Sequence, residues 1–262
     1  MKAATWRPPS IWPWPWMGPV VWTLAVAFLV WNAFNLEVNP ERIARGLSRL
    51  GVVAARAFPP DFQRVGLLAG GVLESIEIAT LSTLFGVLLG IPVAILAARN
   101  VVVLPVYVAG RGVITLGRTF HELIVAIIFV KAVGFGPLAG VLTLTVSSLG
   151  AFSKLLAERI ETIDRGQIEA IRATGASRGA VFVYGVLPQV LPRIIGLTIY
   201  KWDINLRQST IIGIVGAGGI GSTLYNAFSR YDYDFALAIL LVIVAIVLVG
   251  EGVSALARRS AQ

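Results

Sequence analysis

The stretch Ala236-Leu-Ala-Ile-Leu-Leu-Val-Ile-Val-Ala-Ile-Val-Leu-Val-Gly250 decides the fold of this chain. It carries no charged side chain, and its apolar residues are continuous, whereas a membrane-spanning strand would alternate apolar and polar positions. A helix needs about 20 mostly apolar residues to cross the hydrocarbon core of a bilayer, and the flanking residues extend the stretch to that length. The stretch therefore predicts a transmembrane α-helix.

The composition extends this interpretation to the whole chain. Of its 262 residues, 56% are hydrophobic and 14% are charged, and the mean hydropathy is +0.81. Such a chain has more apolar surface than a soluble core of this size can bury, so lipid must cover the rest. We expect an all-α membrane protein with about six transmembrane helices.

Charge and cysteine content exclude several classes of function. The net charge is +8, but the Arg and Lys residues are scattered between apolar segments, which favours an anionic lipid surface over nucleic acid. The absence of Cys excludes disulfides and thiol nucleophiles, and a single His makes no metal cluster. No G-x-x-x-x-G-K-[ST] motif is present, so we expect the chain to hold no cofactor and to be no enzyme.

Apolar runs and breaks divide the chain into two parts. Residues 1–65 would hold an aromatic, proline-rich interfacial anchor, a first span and an external amphipathic segment, and residues 66–262 the core. The six predicted spans cover about residues 20–36, 66–98, 119–133, 138–156, 188–214 and 234–257. Loops on the side of the termini carry more Lys and Arg, which predicts cytoplasmic termini in a multi-pass protein. The arginines of residues 37–64 oppose this orientation.

The polar segment at about residues 157–188 contains Glu169-Ala-Ile-Arg-Ala-Thr-Gly175 and then Tyr184-Gly-Val-Leu-Pro-Gln189. It resembles the E-A-A loop of binding-protein-dependent ABC importer permeases, through which an ATPase moves the membrane helices. The positions that match the motif are Glu169, Ala170, Gly175, Leu187 and Pro188. Two positions depart from it, because Ile171 replaces the second Ala and Gly185 stands where an apolar Ile is usual.

Within that superfamily the chain is similar to phosphonate-import permeases from about residue 59 to the end. The resemblance also rests on Phe58-Pro-Pro-Asp-Phe62, Ala132-Val-Gly-Phe-Gly-Pro137, Leu155-Leu-Ala-Glu-Arg-Ile-Glu161 and Val215-Gly-Ala-Gly-Gly-Ile-Gly221. It implies a type I importer permease (MetI-like) fold in a bacterial inner membrane, and import of phosphonate, phosphite, hypophosphite or phosphate. An ABC permease for another small solute and a passive anion channel are the alternatives.

The resemblance also implies partners. It predicts a second permease copy, most simply as a homodimer, around a central pathway. Two cytosolic ATPase subunits would bind ATP and Mg²⁺ and grip the loop, and an external phosphonate-binding protein would deliver the substrate.

The glycine-rich stretch at residues 213–221 fits G-x-G-x-x-G, but a membrane span follows it instead of the second half of a dinucleotide-binding unit. Broken helices of this kind occur in transporters near the pathway, and the resemblance suggests a gate. A plain tight turn on the outer surface is the alternative. The gate candidates are Gly213, Gly216, Gly218, Gly219 and Gly221.

Polar residues inside predicted spans are candidates for the translocation pathway, because charged groups there cost about 2.5–3.5 kcal/mol each on insertion scales. These candidates are Arg118, His121, Glu122, Lys131, Lys201, Asp203, Asn205, Arg207, Ser209 and Thr210. Asp203 and Arg207 lie one helical turn apart and could instead neutralise each other. His121 could be an ordinary interfacial hydrogen-bonding residue.

Overall fold

The computed structural model describes residue 14, residues 16–36 and residues 39–260, and every regular element in these ranges is a helix. Most of the predicted aromatic anchor, including Trp6 and Trp12, lies outside the described residues. The chain divides into two compact units, residues 1–55 and residues 56–262. Within the described ranges, five helices are long and apolar enough to cross a membrane, and a bent pair can form a sixth span. The predicted all-α membrane fold is confirmed.

The first unit contains two helices of different character. Helix α1 (Met17–Asn35) is apolar on all sides and buries no residue within the structure. Helix α2 (Pro40–Ala57) is amphipathic, with Ile43, Leu47 and Leu50 on one face and arginines on the other. An amphipathic helix was predicted within residues 37–64, and α2 occupies most of that range.

The second unit consists of nine α-helices and one π-helical turn. They are α3 (Val65–Leu96), α4 (Leu104–Thr119), α5 (Glu122–Val133), α6 (Pro137–Glu161), α7 (Arg165–Ala173), α8 (Arg178–Val181), the π-helical turn Phe182–Val186, α9 (Leu187–Gly213), α10 (Ile220–Ser229) and α11 (Tyr233–Ser260). Helix α3 lies at the centre and packs on both α6 and α9. The predicted spans at 66–98, 138–156, 188–214 and 234–257 correspond to α3, α6, α9 and α11.

The predicted third span has a different form from the one expected. Helix α5 has only 12 residues and begins at Glu122, and α4 meets it at an angle of 85° after a break at Phe120 and His121. At 1.5 Å per residue, α5 is about 18 Å long and too short to cross a bilayer alone. The third crossing is therefore a broken span or a re-entrant segment.

Small residues allow the central helices to approach closely. A Cβ atom at Gly86 would collide with Ser148 of α6, and one at Gly90 would lie 2.8 Å from the ring of Phe152. A side chain at Gly86 or Gly90 would have to displace these α6 residues, and small residues at such contacts are common in membrane helix packing. Gly86 and Gly90, one turn apart on α3, are thus the positions at which α3 and α6 approach each other closely.

The glycine-rich stretch forms a buried turn between α9 and α10. Gly216, Gly218 and Gly219 have positive φ angles, which L-residues with a side chain rarely adopt. The backbone N–H of Ile220 donates to Ser75 Oγ on α3 (2.9 Å), and that of Gly136 donates to the Gly216 carbonyl oxygen (3.0 Å). The turn is therefore packed against α3 and the start of α6, and its role as a gate stays a prediction.

A polar contact joins the beginning of α3 to the beginning of α11. The Arg64 guanidinium donates to Asp232 Oδ2 at 2.6 Å, and it lies 4.6 Å from the centre of the Phe235 ring. The hydrogen bond from Arg64 lowers the pKa of Asp232 below its ordinary value. Both groups lie outside the spans, so water and salt weaken the interaction.

This ion pair predicts a specific response to acid. Because the pKa of Asp232 is lower in the folded state, its contribution is complete above the unfolded-state pKa and is lost as pH falls through the folded-state pKa. Asp232→Asn should lower the apparent unfolding temperature of the detergent-purified protein at neutral pH, and the difference should vanish in acid. A difference that persists or grows below the ordinary pKa range of aspartate would contradict this role.

Candidate functional site: a buried polar core and a helical knob

Asn205 joins three helices in the middle of the bundle. Its side chain is fully buried on α9, and its Nδ2 donates to Thr83 Oγ1 of α3 and to Ser148 Oγ of α6, both at 2.8 Å. Ser82 Oγ of α3 lies 3.2 Å from the same nitrogen. Inside a membrane these polar groups have no water to hydrogen-bond with, so they bond to one another. Those hydrogen bonds fix which faces of the three helices meet.

Glu122 extends this polar core to α5. Its Oε1 accepts hydrogen bonds from Ser147 Oγ of α6 at 2.8 Å and from Gln208 Nε2 of α9 at 2.9 Å. Glu122 is the first residue of α5, where the positive end of the helix dipole favours a carboxylate. The Oε1 atom of Gln208 is buried and has no hydrogen-bond partner among the described residues.

Lys201 lies on the same face of α9 as Asn205 and Gln208, one and two turns away. Only 3% of its surface is exposed. In the part of the chain that the structure describes, Lys201 makes no hydrogen bond, and no carboxylate oxygen lies within 4.0 Å of its amine. Glu122 reaches the same face of α9 through its hydrogen bond with Gln208.

The remaining pathway candidates lie elsewhere. Arg207 donates to Asp203 Oδ2 at 2.6 Å, so these residues form the ion pair that their spacing allows. Arg207 is exposed, as are Arg118, His121 and Lys131. His121 Nδ1 accepts from the backbone N–H of Leu123 at the start of α5. Ser209 donates to the Leu206 carbonyl oxygen of its own helix, and Thr210 is half-buried beside the glycine turn. The structure therefore gathers only Glu122, Lys201 and Asn205.

Sequence reasoning missed the neutral members of the polar core. They are Ser82, Thr83, Ser147, Ser148 and Gln208. A usable signal existed for Gln208, because it continues the stripe of Lys201 and Asn205 on α9. For the hydroxyl residues no such signal exists, since Ser and Thr often satisfy themselves on their own helix.

The predicted coupling loop forms a compact helical knob at residues 164–189. The side chain of Asp164 caps the start of α7 by accepting from the Gly166 N–H. Gly175 follows the end of α7 and has a positive φ angle of +76°. Glu169, Ala170 and Gly175 are exposed on its surface. Leu187 and Pro188 begin α9, so the knob continues directly into a membrane helix.

Gln189 fastens this helical knob to the base of α9. Its Oε1 accepts from the Asp164 N–H at 2.9 Å, and its Nε2 donates to the carbonyl oxygen of Gly185 at 2.8 Å. A cavity of about 570 Å³ separates α7 from the ends of α3, α6 and α9. The knob is therefore held by few contacts, and α9 carries most of them.

The ion pair of Arg111 with Glu161 joins α4 to the end of α6, next to the knob. Arg111 donates to both carboxylate oxygens, at 3.0 and 3.1 Å, and also to the Ala97 carbonyl oxygen at 3.0 Å. The Arg99 N–H donates to Glu161 Oε1 at 2.8 Å. These contacts fix the helix ends from which the knob projects.

The composition of these sites does not suggest a metal centre. Across the residues the structure describes, no three His, Cys, Asp or Glu side chains lie close enough together to hold a metal ion. The polar core offers hydrogen-bonding groups and charge, and the helical knob offers exposed residues such as Glu169 and Ala170.

Comparison with known proteins places this geometry in a family. The family model for binding-protein-dependent transport system inner membrane components matches residues 90–260. The putative phosphite transport system permease protein HtxC of Stutzerimonas stutzeri is 36% identical over 211 residues, covering 80% of this chain and 74% of the relative. The phosphate-import permease protein PhnE of Mycolicibacterium smegmatis is 37% identical over 218 residues, covering 82% of this chain but 40% of that longer relative.

A solved structure has the same fold. The inward-facing MetNI methionine ABC transporter contains a chain that superposes with a TM-score of 0.67 at 23% identity, covering 77% of this chain and 99% of that one. This similarity confirms the predicted type I importer permease fold. The chain belongs to the family of binding-protein-dependent transport system inner membrane components.

Proposed function

We propose that the chain is the membrane-spanning subunit of an ATP-driven importer for phosphonate or a related phosphorus oxyanion, such as phosphite, hypophosphite or phosphate. The observation that carries the proposal is the similarity over about four fifths of the chain to permeases named for phosphite and phosphate. Those relatives differ in their named substrates, so the substrate class is better supported than any single oxyanion.

The helical knob would receive mechanical work from an ATPase. Its exposed residues Glu169, Ala170 and Gly175 are small or polar and leave room for a second protein to approach. Two ATPase subunits, with ATP and Mg²⁺ bound to them, would grip the knobs of two permease copies. The chain itself would do no covalent chemistry.

The remaining assembly follows from this role. If the knob is cytosolic and the third crossing is complete, six spans place both termini in the cytoplasm. An external binding protein would then deliver the oxyanion at the opposite side. Closure of the ATPases would push the two knobs together and turn the spans outward, and hydrolysis would restore the inward state. A homodimer is the simplest assembly.

Two departures from the family motif support an intact knob, because they compensate each other. A Cβ atom at Gly185 would lie 3.2 Å from Cδ1 of Ile171 and 3.7 Å from Cα of Ile168. The bulk that the motif usually carries at position 185 is therefore supplied from position 171. The apolar contact between α7 and the π-helical turn is preserved with its two partners exchanged.

Uptake by proteoliposomes tests the proposal directly. The chain would be reconstituted with its neighbouring ATPase and binding protein, and radiolabelled methylphosphonate, phosphite and phosphate would be compared. We expect ATP-dependent uptake of at least one, with competition by the others. Uptake that continues without ATP would favour a passive anion channel, and failure with all three would overturn the substrate class.

Gly175→Arg should abolish both ATPase co-purification and uptake, because it places a long side chain where the partner would approach. Gly175→Asn is the matched control, since Asn tolerates a positive φ angle and stays small. Co-purification and ATP-driven uptake are measured for both variants. If Gly175→Arg still co-purified with the ATPase and supported normal ATP-driven uptake, the knob would not be the site of coupling.

The exchange of partners at positions 171 and 185 predicts non-additive effects. Ile171→Ala and Gly185→Ile should each destabilise the protein, whereas the double variant should recover, with an interaction energy of about 0.5–3 kcal/mol. The apparent unfolding temperature and the amount of ATPase that co-purifies are measured for each single variant and for the double variant. Ile171→Ala combined with Gly179→Ile is the control pair and should be additive, because nothing lies within 4 Å of a Cβ at Gly179.

A further inference from the structure

Lys201 is a buried cation on α9. It is 3% exposed on a membrane helix, and among the described residues it has neither a hydrogen bond nor a carboxylate within 4.0 Å. Arg207, six residues further along α9, differs because it has Asp203 at 2.6 Å. An unpaired charge in a membrane interior is costly and is usually retained for a function.

Glu122 is the nearby carboxylate, but it is engaged elsewhere. Its Oε1 already accepts from Ser147 and Gln208, at 2.8 and 2.9 Å. Among the described residues Glu122 makes no ion pair with Lys201, although its hydrogen bond to Gln208 brings it to the same face of α9. The Lys201 ammonium can therefore attract a second anion.

The surroundings of Lys201 suit a small oxyanion. An ammonium group offers three donors and a compact charge, which bind phosphate-like oxygens without a fixed orientation. Asn205, one turn away on α9, hydrogen-bonds to Ser148 of α6, so Lys201 lies beside a polar core and not only among apolar groups. All of these groups lie where α6 and α9 face each other.

We propose that Lys201 is the transient binding site for the phosphorus oxyanion inside the membrane, and that Glu122 balances its charge when the site is empty. This inference rests on the proposed function and assigns the binding step to one residue. In this structure only 3% of the Lys201 surface is exposed. The oxyanion would reach it in a conformation of the transport cycle in which α9 separates from α6.

A charge-removal series tests the inference against a purely structural role. In the complete reconstituted importer, Lys201→Met should lower uptake of the accepted oxyanion by about tenfold to a hundredfold, the effect of losing one charge-assisted hydrogen bond. ATPase co-purification and basal ATP hydrolysis should stay at the wild-type level. Lys154→Met is the control, because Lys154 is a partly exposed lysine paired with Glu158 on α6, and it should transport normally.

The double variant Lys201→Met with Glu122→Gln decides between the two roles. If Lys201 only neutralises Glu122, removing both charges should restore uptake, and that result would overturn the inference. If Lys201 binds the oxyanion, the double variant should remain as deficient as Lys201→Met. The double variant leaves neither of these two charges in the polar core. It can therefore still be measured if Lys201→Met alone fails to assemble.

Lys201→Arg provides a second measurement that does not depend on charge removal. It keeps the cation but changes its shape, so a binding role predicts an altered KM for uptake and a changed preference among methylphosphonate, phosphite and phosphate. An unchanged KM and preference would contradict the binding role. If the wild-type importer takes up the oxyanion and Lys201→Met does so equally well, this inference is refuted while the proposed function stands. If the wild-type importer itself takes up none of the three oxyanions, the proposed function is refuted.

Discussion

One amide group, that of Asn205, sets the arrangement on which the rest of the structure depends. It is fully buried and donates hydrogen bonds to hydroxyl groups on two other helices. In hydrocarbon the apolar surfaces of helices give little preference for one facing over another, because lipid is equally apolar. The polar contacts and the glycine contacts between α3 and α6 therefore specify the packing. Because these contacts hold α9 in one orientation, Lys201 and Gln208, which lie on the same face of α9 as Asn205, also face the polar core.

Helix α9 connects the two parts of the molecule that carry functional proposals. Its 27 residues correspond to about 40 Å, which exceeds the thickness of the hydrocarbon core. Gln189 attaches its first turn to the helical knob, Lys201 and Asn205 lie near its middle, and Gly213 ends it at the buried glycine turn. A movement applied to the knob would act on one continuous helix and reach the polar core without an intervening loop.

Most of the fold could be predicted from the sequence, because long apolar runs have one stable form in a membrane. The runs that became α3, α6, α9 and α11 were assigned with errors of a few residues, apart from the end of α6. The third crossing was harder, because apolar residues continue through the break at Phe120 and His121, where the helix direction changes by 85°. The position of the helical knob followed from Glu169, Gly175 and Pro188. Its attachment through Gln189 did not, since that contact depends on tertiary structure.

The exchange between Ile171 and Gly185 limits how parts of such permeases can be combined. The Cδ1 atom of Ile171 lies 3.2 Å from where a Cβ atom at position 185 would stand, so it fills the space above Gly185. A chimera that imports the usual residue at one of these positions would inherit either a steric clash or a void. Engineered importers that borrow an ATPase from another system should therefore transplant residues 164–189 as a single cassette.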